Sequence, residues 1–215
     1  MTESVRVAHL DELDRIAVAG GEYRPIRRRL GVRAFGINAY TAAKAGDQVV
    51  EHHHEGTGSG RQEELYLVFC GHAEFTVGDE TIDAPAGTMV FVPDVTAKRG
   101  AVATADGTTV LVVGGPADSP IPTSPFEYWF AAEAPYNAGD YDRAVEIASE
   151  GLAEWPDSGQ LHYQLACFHA LAGRPEQALE HLAIAVANDP RAAGWAQDDA
   201  DFDSVRADPA FPPPA

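Results

Sequence analysis

The residues best placed for chemistry are three consecutive histidines, His52, His53 and His54, followed ten residues later by Glu64 in "VVEHHHEGTGSGRQEELY". Imidazole and carboxylate are both metal ligands and proton carriers, so this grouping points either to a divalent-cation site or to acid–base chemistry. In extended chain, alternate side chains share a face, which sets His52 and His54 on one side of a strand and His53 on the other. Glu64, Tyr66 and Val68 likewise share a face of the strand that follows. If those strands neighbour each other, His52, His54 and Glu64 converge as two imidazoles and one carboxylate. That set leaves open positions on iron, manganese, nickel or zinc. His53 is a substitute ligand for either neighbour. Tyr66, on the Glu64 face, is a candidate to bind substrate or donate a proton, or else a core aromatic.

Positioning such a site requires strands, and the first half of the chain supplies them. Residues 24–115 read as short β-branched or aromatic runs, "VRAFGINAYTA", "ELYLVFCG", "AEFTV", "TMVFVP" and "TVLVVGG" among them. Turn residues punctuate them, no 3.6-residue period persists, and many short strands at this spacing predict an all-β sandwich or barrel. "FTVGDETIDA" predicts a hairpin turning near Gly78-Asp79. The arginines of "YRPIRRRLGVR" read as a solvated strand edge or as an anion-facing patch.

Beyond "GGPADSPIPTSP" the pattern becomes helical and repeats itself. "AGDYDRAVEIASEGLAEWP" and "AGRPEQALEHLAIAVANDP" align without a gap, pairing Gly139 with Gly173, Ala144 with Ala178 and Pro156 with Pro190, 34 residues apart. This period resembles the tetratricopeptide repeat, in which small residues mark helix contacts and Pro ends the second helix. Units are expected at about 124–156 and 157–190, with a partial cap over 191–210. The expected domains are 1–120, a β-barrel with an N-terminal extension, and 121–215, a helical repeat array. So short an array is marginal alone, so docking against the barrel is expected.

Composition narrows the partners. The net charge of -18 repels phosphate backbones, which excludes nucleic acid as the expected partner. No 18-residue apolar run is present, so no membrane span is expected, and the acidic N-terminus does not read as a secretory signal. Cys70 and Cys167 both lie in apolar patterns, predicting reduced, buried thiols and a cytoplasmic location.

The first half also resembles the cupin family. Gly46, five residues, His52-x-His54, then Glu64, six residues and Gly71 follow the first cupin motif, with nine residues between His54 and Glu64 where the family has three or four. "PAGTMVFVP", with Pro85, Gly87 and Pro93, follows the second. The resemblance implies an α+β multidomain chain whose N-terminal half is a jelly roll (double-stranded β-helix) that binds a metal or a small molecule and pairs as a homodimer. It also implies a further histidine five residues after Pro93, where this chain has Lys98, with Arg99 beside it. Lys98 does not ligate a metal; it is a candidate to bind an anionic substrate, or to pair with Glu64 in a site that has lost its metal. The "GTGSG" insertion bulges outward or acts as a lid.

Two functions follow. One is a cupin-type metal- or small-molecule-binding protein whose repeats contact a protein partner. The other is a small metal-dependent oxygenase or isomerase acting on an anionic small molecule.

Overall fold

The computed structural model describes residues 6–18, 21–56 and 61–213. The chain divides into two compact units, Met1–Pro120 and Ile121–Ala215. In the first, a 3-10 turn at Leu10–Glu12 precedes strands β1 (Ile16–Val18) and β2 (Gly21–Arg24) and a one-turn helix α1 (Ile26–Leu30). Eight strands follow: β3 (Gly36–Thr41), β4 (Gln48–His53), β5 (Gln62–Cys70), β6 (His72–Val77), β7 (Glu80–Pro85), β8 (Met89–Val92), β9 (Arg99–Ala103) and β10 (Thr109–Pro116). They form two antiparallel sheets, ordered β1-β2-β3-β10-β5-β8 and β4-β9-β6-β7. Without the N-terminal hairpin, this is the strand order of an eight-stranded jelly roll.

Alternation sets which side chains enter the barrel. Across β5 and β10, Tyr66 stands opposite Val112 and Val68 opposite Val110; across β6 and β9, Phe75 stands opposite Ala101. All six are buried and belong to one core with Val49, Val50, Val90 and Val92. Gly71, between β5 and β6, adopts φ +81°, and a Cβ there would lie 2.4 Å from Thr108 Oγ1. The buried Thr108 hydroxyl donates to the Ala105 carbonyl at 2.7 Å and accepts from the His72 amide at 3.1 Å, which pins this corner. The hairpin over Gly78-Asp79 forms as the sequence predicts. The arginine-rich segment does not extend as a strand. It enters α1, closed by Gly31, after a buried Arg24 that pairs with Glu22 at 2.9 Å.

The second unit contains α2 (Pro125–Asn137), α3 (Tyr141–Glu154), α4 (Gly159–Leu171), α5 (Pro175–Asn188) and α6 (Arg191–Asp198). The 34-residue period is visible in the packing. Ala132 and Ala166, Ala144 and Ala178, and Ala148 and Leu182 occupy equivalent, fully buried positions where helices touch. Gly139 and Gly173 are left-handed (φ +76° and +72°). They let the amide of the next residue bond back to Pro135 and His169 respectively. Pro135 therefore sits inside α2 near its C-terminal end, where its carbonyl serves the cap. Cys167 is buried, but Cys70 is exposed, a correction to the expected pair of buried thiols: it ends β5 where the strand leaves the core. Among the described residues no helix is long and apolar enough to cross a membrane.

Candidate functional site in the barrel

The barrel interior brings together His53, Glu55, Glu64, Tyr66 and Arg99, and the register of β4 decides which histidine takes part. Val50 pairs with Ala101 and His53 with Arg99, so three steps along β4 answer two along β9. That bulge inverts the parity of the strand. Val50 and His53 both face inward, whereas plain alternation from Val50 would have turned His52 and His54 inward. His52 instead lies over Gly100, where a Cβ would meet its Nδ1 at 2.6 Å. His54 turns away, its Nδ1 accepting from the Gly56 amide at 3.1 Å. The structure thus places Glu64 with His53, and does not bring His52 and His54 to it.

Contacts converge on one oxygen of Glu64. Tyr66 donates its hydroxyl to Oε2 at 2.5 Å. His53 Nε2 lies 3.3 Å from the same atom, and Arg99 Nη2 lies 3.2 Å away. Burial pushes the Glu64 carboxyl up, but the hydrogen bonds from His53 and Tyr66 and the Arg99 charge outweigh it and hold it below the usual carboxylate range. The hydrogen bond to Glu64 raises His53, against the opposing effect of its burial. Burial, then the charge of Glu64, raises Tyr66 far above an ordinary phenol, so it is a fixed donor. Arg99 is fully buried and spends Nη1 on the Ala97 carbonyl at 3.0 Å.

Lys98 is exposed, and among the described residues only its backbone is engaged, its carbonyl accepting from the Gly78 amide. The pairing expected of Lys98 with Glu64 is made by Arg99. In "KRGAVA" the small inward residues Ala101 and Ala103 carry the signal, because alternation from them places Arg99, not Lys98, inside. The Gly/Ser insertion falls on residues 57–60, outside the described residues.

Above this cluster lies a cavity of about 300 Å³ walled by Tyr23, Tyr40, Tyr66, Val50 and Val112, with Glu51, His53, Glu55 and Glu64 at its polar side. The Tyr23 and Tyr40 rings meet at a tilt of 54° with centroids 5.3 Å apart, and Tyr23 donates to Asn38 at 2.8 Å. Tyr23 escaped sequence reasoning because β2 is contributed by the N-terminal extension, and Glu51 and Glu55, on β4 and just after it, were not singled out either. Arg27, Arg28 and Arg33 line a separate surface groove and do not reach this cavity.

His53, Glu55 and Glu64 offer three ligand atoms within 4.8 Å of one another, a group of the kind that holds a metal ion. The charge beside it does not suit one. A divalent ion bound through Glu64 would sit roughly 5 Å from the Arg99 guanidinium, a repulsion of about 7 kcal/mol at an effective dielectric of 20. The fixed positive charge at Glu64 is already supplied by the chain.

The barrel's strand order makes the first unit an eight-stranded, cupin-like jelly roll, with Glu64 of the motif inside it. The helices of the second unit are similar to the tetratricopeptide repeat: the family model described as "Tetratricopeptide repeat" matches residues 136–207, about a third of the chain. Among solved structures, a Cupin 2 conserved barrel domain protein from Salinispora arenicola is 17% identical, covering 54% of this chain and 92% of its own with a TM-score of 0.43. A cupin protein from Bacteroides fragilis is 20% identical over 52% of this chain and 91% of its own, with a TM-score of 0.41. A cupin-superfamily sugar phosphate isomerase from Silicibacter pomeroyi is 20% identical over 51% and 74%, with a TM-score of 0.42. No curated protein matches the chain.

Proposed function

We propose that the barrel binds a small polar molecule in the cavity above Glu64, using Arg99 in the place a metal would take. The observation carrying this reading is the convergence of Tyr66, His53 and Arg99 on Glu64 Oε2 beneath an open cavity. Three carboxylates on the polar side disfavour an anionic ligand, while tyrosine hydroxyls and carboxylates together suit a neutral molecule rich in hydroxyl groups. The repeats then serve as the module that contacts a protein partner. The chain pairs as a homodimer through the outer surface of the larger sheet, where Met89, Phe91 and Phe69 are more than half exposed.

The test is a thermal-shift and calorimetric panel of neutral polyols, amines, carboxylates and phosphate esters, alongside elemental analysis of untagged protein. Polyols are expected to bind, with loss in Glu64→Gln and Tyr66→Phe. Near-stoichiometric metal that disappears in His53→Ala and Glu64→Ala would overturn the reading, as would preferential binding of anions.

A second reading is favoured by the His53–Glu64 contact. His53 reaches the cavity with a raised proton affinity, so the pair is arranged to pass a proton to or from a bound ligand, as in an isomerase. Turnover of a ligand found in the panel, lost in His53→Gln with binding retained, separates this reading from simple binding.

A further inference from the structure

The repeat unit holds a second cavity, of about 230 Å³, with a different chemistry. One wall is the face of α2 that presents Trp129, Glu133 and Tyr136 at helical spacing; the opposite wall is α4. The floor is Asp199 and Asp201, from the turn after α6. Tyr163 donates to Asp199 Oδ2 at 2.9 Å and Tyr136 to Asp201 Oδ1 at 3.0 Å, so both carboxylates are held in place by the aromatic walls. The lining contains three carboxylates and no basic side chain. Gln164 also lines it, only 8% exposed, with its Oε1 buried and unpartnered. Every charged side chain of the lining is negative, and Gln164 adds a buried acceptor. Its complement is a cation with several donors.

We propose that this pocket recognises a single arginine or lysine side chain presented by a basic segment of a protein partner. The proposal rests on the reading of the repeats as an interaction module and names the chemistry of the partner. Aromatic faces over an acidic floor are the arrangement that attracts an organic cation. The molecule contains its own example: the Arg191 guanidinium lies 5.4 Å over the Trp195 ring and pairs with Asp189 at 2.7 Å. That pair sits in a neighbouring groove of about 790 Å³, which shares Trp129, Tyr163, Gln164 and Asp199 with the pocket and continues past Asp198. A groove leading from the pocket suits a side chain arriving on a peptide rather than a free amine.

The same residues contain a metal-like set, since Cys167, Asp199 and Asp201 place ligand atoms within 4.8 Å of one another. The size of the cavity favours the organic cation, being far larger than an ion requires. Burial, then the charge of the neighbouring Asp199, raises the Asp201 carboxyl.

The test uses the full chain and short acetylated, amidated peptides carrying one central arginine, lysine, citrulline or glutamate between glycines and serines. Binding is followed by tryptophan fluorescence and calorimetry. Arginine and lysine peptides are expected to bind with Kd on the order of 0.1–1 mM, and citrulline, the uncharged isostere of arginine, at least about tenfold more weakly. Asp199→Asn/Asp201→Asn, which keeps acceptors for both tyrosines, is expected to weaken the arginine peptide by about tenfold. Asp142→Asn, on α3 and paired with Arg174, is expected to leave it unchanged. If the aspartate variant does not fold, as judged by its helical circular dichroism, Gln164→Leu and Trp129→Ala carry the comparison, each with the same direction of loss. Equal binding of citrulline and arginine peptides overturns the proposal, as does the absence of saturable binding of the arginine peptide to folded wild type. Zinc binding that is lost in Cys167→Ser, with no arginine peptide bound, reassigns the pocket to a metal. Binding of glutamate or citrulline peptides that ignores the aspartate changes leaves the interaction module standing and removes the cation pocket alone.

Discussion

Replacing Arg99 by Met tests the centre of the barrel site. The guanidinium is fully buried and Glu64 is 12% exposed, with 3.2 Å between Nη2 and Oε2. At an effective dielectric of 20, that separation corresponds to about 5 kcal/mol of attraction, offset in part by the desolvation of both groups. Removing the cation leaves Glu64 with Tyr66 and His53 alone, and breaking a buried pair from one side costs about 3–4 kcal/mol. Glu64→Gln strands Arg99 and is expected to cost a similar amount. The double variant is expected to fall short of the sum by about 2–3 kcal/mol. Because the lowered Glu64 carboxyl contributes stability above its ordinary value of 4.5 and loses it as pH falls, the Arg99→Met penalty shrinks in acid. The three tryptophans, at 129, 155 and 195, all lie in the repeat unit. Hydrogen exchange of β5 and β9 amides therefore reads the barrel, and tryptophan fluorescence is an internal control expected not to move. A penalty under about 1 kcal/mol, or single-variant costs additive within about 0.5 kcal/mol, would refute the claim that Arg99 and Glu64 act as a pair.

Three further outcomes are expected. Burial, then Arg174 and His181, lowers His169 to about 4, so the unfolded chain binds the extra proton between pH 6.5 and 4 and the repeat unit loses stability as pH falls through that window. Because the ring is only half-buried, the loss is expected at roughly 1–2 kcal/mol, read by urea titration of tryptophan fluorescence, with His169→Asn flattening the profile. Gly71→Ala is expected to destabilise the barrel by about 2–4 kcal/mol, in exchange or melting experiments, because a Cβ at φ +81° collides with Thr108. Met89→Glu/Phe91→Glu is expected to shift light-scattering mass from dimer to monomer without changing circular dichroism; an unchanged mass places the dimer contact elsewhere or removes it.

The fold was readable because its determinants are local and repeated. Turn residues bounded each strand, and small residues recurred every 34 positions where α3 and α5 cross their neighbours. The site was readable only to within one residue. His52 and His54 satisfy the motif spacing, yet a bulge in β4 is a property of two strands together, and nothing in "VVEHHH" alone announces it. The same limit hid Arg99, since counting five residues from Pro93 lands on Lys98 whereas the pairing with β4 and β6 turns its neighbour inward. The acid-floored pocket of the repeats was invisible for another reason: its walls come from α2, α4 and the turn after α6, with 71 residues between Trp129 and Asp201.

The β4 bulge gives the histidine run a meaning beyond any one of its members. A strand that gains or loses a residue swaps its inward and outward sets, which ordinarily destroys a site built on alternation. Here either parity presents an imidazole toward Glu64, because all three positions carry one. The run therefore makes the site indifferent to a one-residue slip, so a single-residue deletion in β4 that still folds would exchange the working histidine rather than abolish it.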